Sequence, residues 1–121
     1  IIGASGSGKS ALALQLMAIG AVLIADDRVI LSNQGQLTAS CPPAIKGRIE
    51  ARGVGILNAA TQDMATVAAV IDMDQIETDR LPPNRVISML GHELPLLFKV
   101  EGLHFASAVA QFLRAGRSDF A

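Results

Sequence analysis

Gly3-Ala4-Ser5-Gly6-Ser7-Gly8-Lys9-Ser10 constrains this chain more than any other stretch. It has the form G-x-x-x-x-G-K-[ST], a pattern that belongs between a buried strand and the start of a helix. Both flanks fit. Ile1-Ile2 is an apolar end running into the loop, and Ser10–Ala18 (SALALQLMA) is rich in good helix formers without Gly or Pro. Gly3, Gly6 and Gly8 let the backbone curl so that successive N–H groups face inward, a nest for phosphate oxygens. The helix adds its own unpaired N–H groups and the positive end of its dipole. Lys9 is in reach of terminal phosphates as a point charge, and the Ser10 hydroxyl is placed to ligate Mg²⁺. Gly3, Ala4, Ser5, Gly6, Ser7, Gly8, Lys9 and Ser10 are thus the candidate nucleotide-binding set. A phosphate-binding strand of normal length needs several residues before Gly3, so chain upstream of Ile1 is expected.

The 121 residues suffice for one modest domain with one core, read as a single P-loop domain over residues 1–121 that is truncated at its N-terminus. Only 17% of residues are charged, against roughly 25% in soluble domains, which points to surface covered by partner subunits. The net charge of −1 comes without a basic cluster, which argues against nucleic acid and anionic membrane surfaces. The four aromatic residues are all Phe, so base-stacking platforms are not expected. The charge-free run Ser10–Ala25 is 16 residues, short for a membrane span, and divides into a helix and a strand. A lone cysteine, Cys41, fits a reducing compartment, hence the cytoplasm, and a structural role.

Along the chain, Gly20 is a natural helix stop and Ala21–Ala25 (AVLIA) reads as a strand buried on both faces, ending at Asp26-Asp27. Arg28–Ser32 and Leu37–Ser40 read as strands about a hairpin turn at Asn33–Gln36. A short helix is expected over Ala44–Ile49, a buried strand over Thr66–Met73, a loop over Gln75–Asn84 and a strand over Arg85–Leu90. Leu94–Val100 is a further apolar segment interrupted by Pro95. His104–Ala115 spaces Phe105, Val109, Phe112 and Leu113 at helical intervals before Gly116. The pattern predicts a single α/β domain with a mixed sheet.

A phosphate-binding loop of this kind needs a carboxylate at the end of a second buried strand. Asp26-Asp27 and Asp72 qualify by position. For Asp72 a turn-forming role is the better reading; for Asp26-Asp27 a catalytic one is. Adjacent side chains in an extended segment point to opposite faces, so one is expected to face the phosphates and the other to anchor the turn. An acid held near Mg²⁺ and Lys9 stays ionised, whereas two adjacent carboxylates raise one pKa. The sequence leaves both open.

Three ordered elements carry a resemblance: GASGSGKS, then Asp26 sixteen positions after Ser10 within LIADDRV, then IEARGVGILN. Together they are similar to the catalytic domain of HPr kinase/phosphorylases, whose signature Leu-Glu-Ile-Arg-Gly-Leu-Gly-Ile reads here Ile49-Glu50-Ala51-Arg52-Gly53-Val54-Gly55-Ile56. The match covers about the first 58 residues, together with Asp79-Arg80-Leu81, which resembles the family's Asp-Arg-Leu-Gly element. The resemblance implies a P-loop domain like that of phosphoenolpyruvate carboxykinase, assembled as homo-hexamers. It implies an ATP- and Mg²⁺-dependent serine kinase acting on the phosphocarrier protein HPr, with phosphate-dependent dephosphorylation as a second activity. Pyrophosphate is the alternative donor.

By the same resemblance Lys9 holds the nucleotide phosphates, and Ser10 and Glu50 ligate Mg²⁺. Asp27 is the base toward the target serine, with Asp26 beside it, and Arg80 stabilises the transferring phosphoryl. Ile49, Glu50, Arg52, Gly53 and Gly55 are the signature residues. The residues alone favour a plain surface ion pair between Glu50 and Arg52. The family's catalytic His lies on the strand upstream of the loop; His92 and His104 are surface or capping residues and do not replace it. A Pro-Gly-Arg-Asn segment that precedes the family's last helix is replaced here by Lys99–His104, which contains Glu101.

Two other readings use the same loop. Small-molecule P-loop kinases carry an Arg-rich lid, and no Arg cluster appears between Thr61 and Pro95. A nucleotide-sensing module without turnover has no need of Asp27, Glu50 and Arg80 together.

Overall fold

The run of helix formers behind the loop is helix α1 (Lys9–Ala18) in the computed structural model, which describes residues 1–118. Its end is closed as a Schellman turn. Gly20, at φ 110°, and Ala21 return their N–H groups to the carbonyls of Met17 and Leu16. The apolar run that follows does not become the expected strand over Ala21–Ala25. Only Leu23 pairs, in one parallel bridge to Thr61, with Gln62 N–H donating to the Leu23 carbonyl at 3.0 Å. The partner segment supplies a single residue before it leaves as another strand, so no ladder grows.

The hairpin is present: β1 (Ile30–Asn33) and β2 (Leu37–Ser40) pair antiparallel, with Asn33 opposite Leu37. The expected helix over Ala44–Ile49 is only a 3-10 turn at Pro43–Ile45. Beyond Gly47, Arg48–Ala51 is strand β3, paired antiparallel with β4 (Gly55–Asn58). Ile49 and Ala51 are buried and Arg48 and Glu50 exposed, a period of two that belongs to a strand.

The expected strand over Thr66–Met73 is divided between two sheets. Its first residue ends β5 (Met64–Thr66), which lies antiparallel on β2, and β6 (Val70–Ile76) begins a second sheet. There β6 pairs in parallel with β8 (His92–Lys99), which also pairs antiparallel with β7 (Arg85–Met89), so the sheet is mixed. Ile2 adds a parallel bridge to Asp72 on the free side of β6 and runs the chain into the loop. Residues 90 and 91 form a two-residue turn, Leu90 at φ 47° and Gly91 at φ 81°, so Leu90 is turn rather than strand. Pro95 faces Val86 of β7 just before pairing with β6 starts at Leu96, where its missing N–H breaks no ladder bond. Helix α2 (Phe105–Ala115) is closed by Gly116, whose N–H donates to the Phe112 carbonyl at 2.8 Å. Leu113, placed on the apolar stripe by its spacing, is exposed.

The β6–β8–β7 sheet carries a different layer on each face. Ile71 and Met73 pack with Leu12 and Leu16 of α1 and with Phe105, Ala106 and Val109 of α2. The neighbouring residue Val70 points the other way and packs with Leu94 and with Leu37 of β2. The result is helices, mixed sheet and small antiparallel sheet in three layers. The loop emerges at the edge where Ile2 meets β6. Among the described residues no helix is long and apolar enough to cross a membrane.

Candidate active site

The loop between Ile2 and α1 is shaped by its glycines. A Cβ on Gly3 would stand 2.6 Å from Ser7 Oγ and 3.1 Å from Met73 Cβ, so only glycine lets the chain pass there. Gly8 caps α1 in the left-handed region at φ 100°, with no side chain on the first N–H groups and no acidic residue in the first turn. Those donors stay available to an anion. Ser7 N–H donates to the Ala4 carbonyl at 3.1 Å and closes the first turn of the loop. Lys9 lies across it, its ammonium donating to the carbonyls of Gly3 at 2.5 Å and Ala4 at 3.2 Å.

A cavity of about 670 Å³ opens over this loop, and its other walls come from the Asp26-Asp27 turn and from β3. Ser10 Oγ donates to Asp26 Oδ1 at 2.7 Å, and Asp26 Oδ2 accepts the Glu50 N–H at 2.9 Å. One carboxylate thus ties the start of α1 to β3, and Ser10 and Glu50 line the same cavity. The Arg28 N–H donates to the Asp26 carbonyl at 2.7 Å, making a tight three-residue turn with Asp27 at φ 64° at its apex. A non-glycine residue in that region is uncommon, although aspartate tolerates it better than most, and here it sits in the cavity wall. The turn also corrects an expectation. Asp26 and Asp27 do not divide between opposite faces; both line the cavity, because positive φ at Asp27 breaks the extended alternation.

Of the predicted site residues, Ala4, Ser5, Gly6, Gly8, Lys9, Ser10, Asp26, Asp27, Ile49, Glu50 and Arg52 line this one cavity. Gly53, in the turn between β3 and β4, and Gly55, the first residue of β4, are outside its lining, with positive φ at both. The expected Glu50–Arg52 ion pair does not form; the ion pairs among the described residues are Lys46–Asp63 and Arg85–Glu77. Arg80 is not brought to the cavity. It lies in the segment after β6, and the cavity's arginines are instead Arg28, Arg48 and Arg52. Asp72 turns inward on its own chain, accepting the Asp74 N–H at 3.0 Å, as a turn-forming aspartate does. His92 contacts Asn33 on the surface at 2.9 Å, and His104 flanks α2 without a side-chain capping bond.

Two residues that touch the loop had no signal in the sequence. Both carboxylate oxygens of Asp74 lie 3.0 Å from Ala4 N, and Lys99 Nζ donates to the Ser7 carbonyl at 3.2 Å. They arrive from neighbouring strands, 70 and 92 positions further along the chain, a juxtaposition that no local pattern records.

Elsewhere, Glu77 holds Arg85 through two bonds of 3.1 and 3.0 Å, with the guanidinium 4.4 Å from the centre of the Phe98 ring. The Arg85 hydrogen bonds, helped by the N–H groups of Asp79 and Thr78, hold the Glu77 carboxyl below its ordinary range.

A glycine loop leads from a sheet edge into a helix, with Asp26 bonded to the helix start, in an α/β domain with a mixed sheet. Residues 1–85 match the family model of the HPr Serine kinase C-terminal domain. The chain belongs to that family. It is similar to HPr kinase/phosphorylase of Brevibacillus brevis, at 44% identity over 97 residues, which are 75% of this chain and 30% of that protein. It is 33% identical over 104 residues to HPr kinase/phosphorylase of Cupriavidus pinatubonensis, covering 75% of this chain and 32% of that one. The chain therefore spans about a third of the length of these curated relatives. Its fold is similar to the solved Hpr(Ser) kinase/phosphatase of Coxiella burnetii, with a TM-score of 0.76 at 24% identity, over 93% of this chain and 78% of that one.

Proposed function

We propose that this chain is the phosphoryl-transfer portion of an ATP-dependent serine kinase that acts on the phosphocarrier protein HPr. The observation that carries the reading is the Ser10–Asp26–Glu50 connection beside the glycine loop, within one cavity. Loop N–H groups and Lys9 take the nucleotide phosphates. Lys9 gives up its bonds to the Gly3 and Ala4 carbonyls to do so. The donor set suits a hard cation such as Mg²⁺: a hydroxyl and carboxylates, all oxygen donors. Ser10 and Glu50 would hold the ion, with Asp26 fixing the Ser10 hydroxyl. When bound, Mg²⁺ neutralises charge on the phosphates.

Asp27 faces the cavity from the apex of its turn and is the base toward the incoming serine hydroxyl. A bond forms between the serine oxygen and the terminal phosphorus, the bond from that phosphorus to the bridging oxygen breaks, and the serine proton passes to Asp27. Arg28, Arg48 and Arg52 stand where charge on the transferring group is to be offset, the part the resemblance gave to Arg80. In the dephosphorylation, an oxygen of inorganic phosphate attacks the phosphoserine phosphorus, the bond from that phosphorus to the serine oxygen breaks, Asp27 returns the proton to that oxygen, and pyrophosphate leaves. The protein works in the cytoplasm as a homo-hexamer, with exposed Val54 and Leu103 available for subunit contacts.

The test is incubation with radiolabelled ATP, Mg²⁺ and purified HPr, with HPr whose target serine is changed to alanine as the control. Label is expected on HPr and absent from the control. ATP hydrolysis without labelling of HPr overturns the substrate assignment.

A further inference from the structure

We propose that Asp74 and Lys99 are positioning residues that grip the first turn of the phosphate-binding loop at its two ends. The role rests on the nucleotide reading above, and the grip itself is independent of it. Ala4 and Ser7 are the ends of that turn, closed by the Ser7 N–H to the Ala4 carbonyl. Asp74 accepts the N–H of the first, and Lys99 donates to the carbonyl of the second. Each is a charge-assisted bond, roughly twice as strong as a neutral one. Neither side chain lines the cavity, so both hold the loop from outside without occupying the space of a ligand.

The sheet is deformed at this place. Asp72 of β6 is opposite Phe98 of β8, yet the next residue of β8, Lys99, is opposite Ile76. Residues 73–75 therefore bulge out of the ladder, and bulges re-aim side chains beside active sites. The bulge lifts Asp74 to Ala4 while Met73 stays beneath the loop, its methyl 3.4 Å from where a Cβ on Gly8 would be. The turn has little else to hold it. Ser7 Oγ is buried without a partner, and the bonds from Lys9 to Gly3 and Ala4 are lost once its ammonium turns to a phosphate. Asp74 and Lys99 are the side-chain bonds that remain, and they pre-organise the nest, so that binding does not have to order it.

The test measures hydrogen exchange of the loop amides without nucleotide, and affinity for a non-hydrolysable ATP analogue with Mg²⁺. It compares the full chain with Asp74→Ala, Lys99→Met and Lys99→Arg. In the first two variants, exchange at Ala4 and Ser7 is expected to speed up about tenfold or more, and affinity to fall about tenfold. Lys99→Arg is expected to restore both, while amides of β8 and α2 exchange as in the parent chain. Unchanged exchange at Ala4 and Ser7 overturns the proposal. So does acceleration spread equally over β8 and α2, or faster loop exchange with unaltered affinity. If the parent chain binds no analogue but Ala4 and Ser7 selectively lose protection in the variants, the grip stands and the nucleotide reading falls.

Discussion

Asp27 and Asp26 are adjacent in the chain and differ in what they are free to do. Asp26 has both carboxylate oxygens engaged, by Ser10 and by the Glu50 N–H, while Asp27 is presented at the apex of a strained turn. On the function proposed above, proton transfer falls to Asp27, while Asp26 holds Ser10 and the Glu50 N–H. Asp27→Asn keeps the size and removes the acceptor, so turnover is expected to fall about 10²–10⁴-fold. Nucleotide affinity should stay near that of the parent chain. A loss below tenfold would move the base to another carboxylate. Ser10→Ala removes the hydroxyl held by Asp26 and leaves the loop N–H groups intact. Affinity for ATP measured with and without Mg²⁺ should then lose its Mg²⁺ dependence, and an unchanged dependence would remove Ser10 from the metal's surroundings.

Among the elements, β6 does two jobs. Its first half pairs with both Ile2 and β8 and carries Ile71 and Met73 into the helix-facing core. After the bulge, its end delivers Glu77, whose side chain is 7% exposed, to Arg85 at the start of β7. The pair fastens the end of β6 to the start of β7, the two strands on either side of β8. Because the Glu77 carboxyl is held below its ordinary value in the fold, folding favours the ionised form. Its contribution is thus fully present above the ordinary carboxylate range and is lost as pH falls through the lower, folded value. Glu77→Gln should melt at a lower temperature than the parent chain at pH 7. The difference should shrink steadily below about pH 4.5, the pKa range of ordinary carboxyls. A gap that is the same at pH 7 and pH 3 would show that packing, and not charge, links these strands.

At the scale of the whole molecule the question is how much anionic charge one cavity holds. Lys9, Arg28, Arg48 and Arg52 supply +4 and Asp26, Asp27 and Glu50 supply −3, leaving a formal balance of +1. The forward reaction brings one polyphosphate with its metal. Phosphorolysis must place inorganic phosphate beside a phosphoserine, and unit charges 4 Å apart at an effective dielectric of about 20 already repel by roughly 4 kcal/mol. The Arg-bearing segment of the resembling family is replaced here by Lys99–His104. Lys99 is engaged at the back of the loop, and Arg117 is bonded to the carbonyls of Pro82 and Pro83. The kinase direction is accordingly expected to dominate. Pyrophosphate release from phosphoserine-HPr at millimolar phosphate should run well below ATP-driven phosphorylation by the same preparation. Equal rates would show that Arg28, Arg48 and Arg52 suffice for both directions.

The sequence by itself determined what local chemistry determines. The loop and α1 follow from glycines before a run of helix formers, the Gly20 stop from its tolerance of positive φ, and the β1–β2 hairpin and α2 from periodicity. Asp26, Asp27, Glu50 and Arg52 were legible as a group because the ordered motifs are a family's, and the fold brings them to the same cavity. Tertiary structure decided the rest. Whether AVLIA is a strand depends on how long its partner stays alongside, and whether residues 66–73 are one strand depends on which sheet each end finds. Hydrophobicity alone carries neither answer. Arg80 sits away from the cavity while Arg28 and Arg48 line it, and Asp74 and Lys99 reach the loop only because a bulge and a parallel pairing bring distant strands under it. A charged side chain writes no periodicity into its neighbourhood, so its partner is fixed by the fold that delivers it.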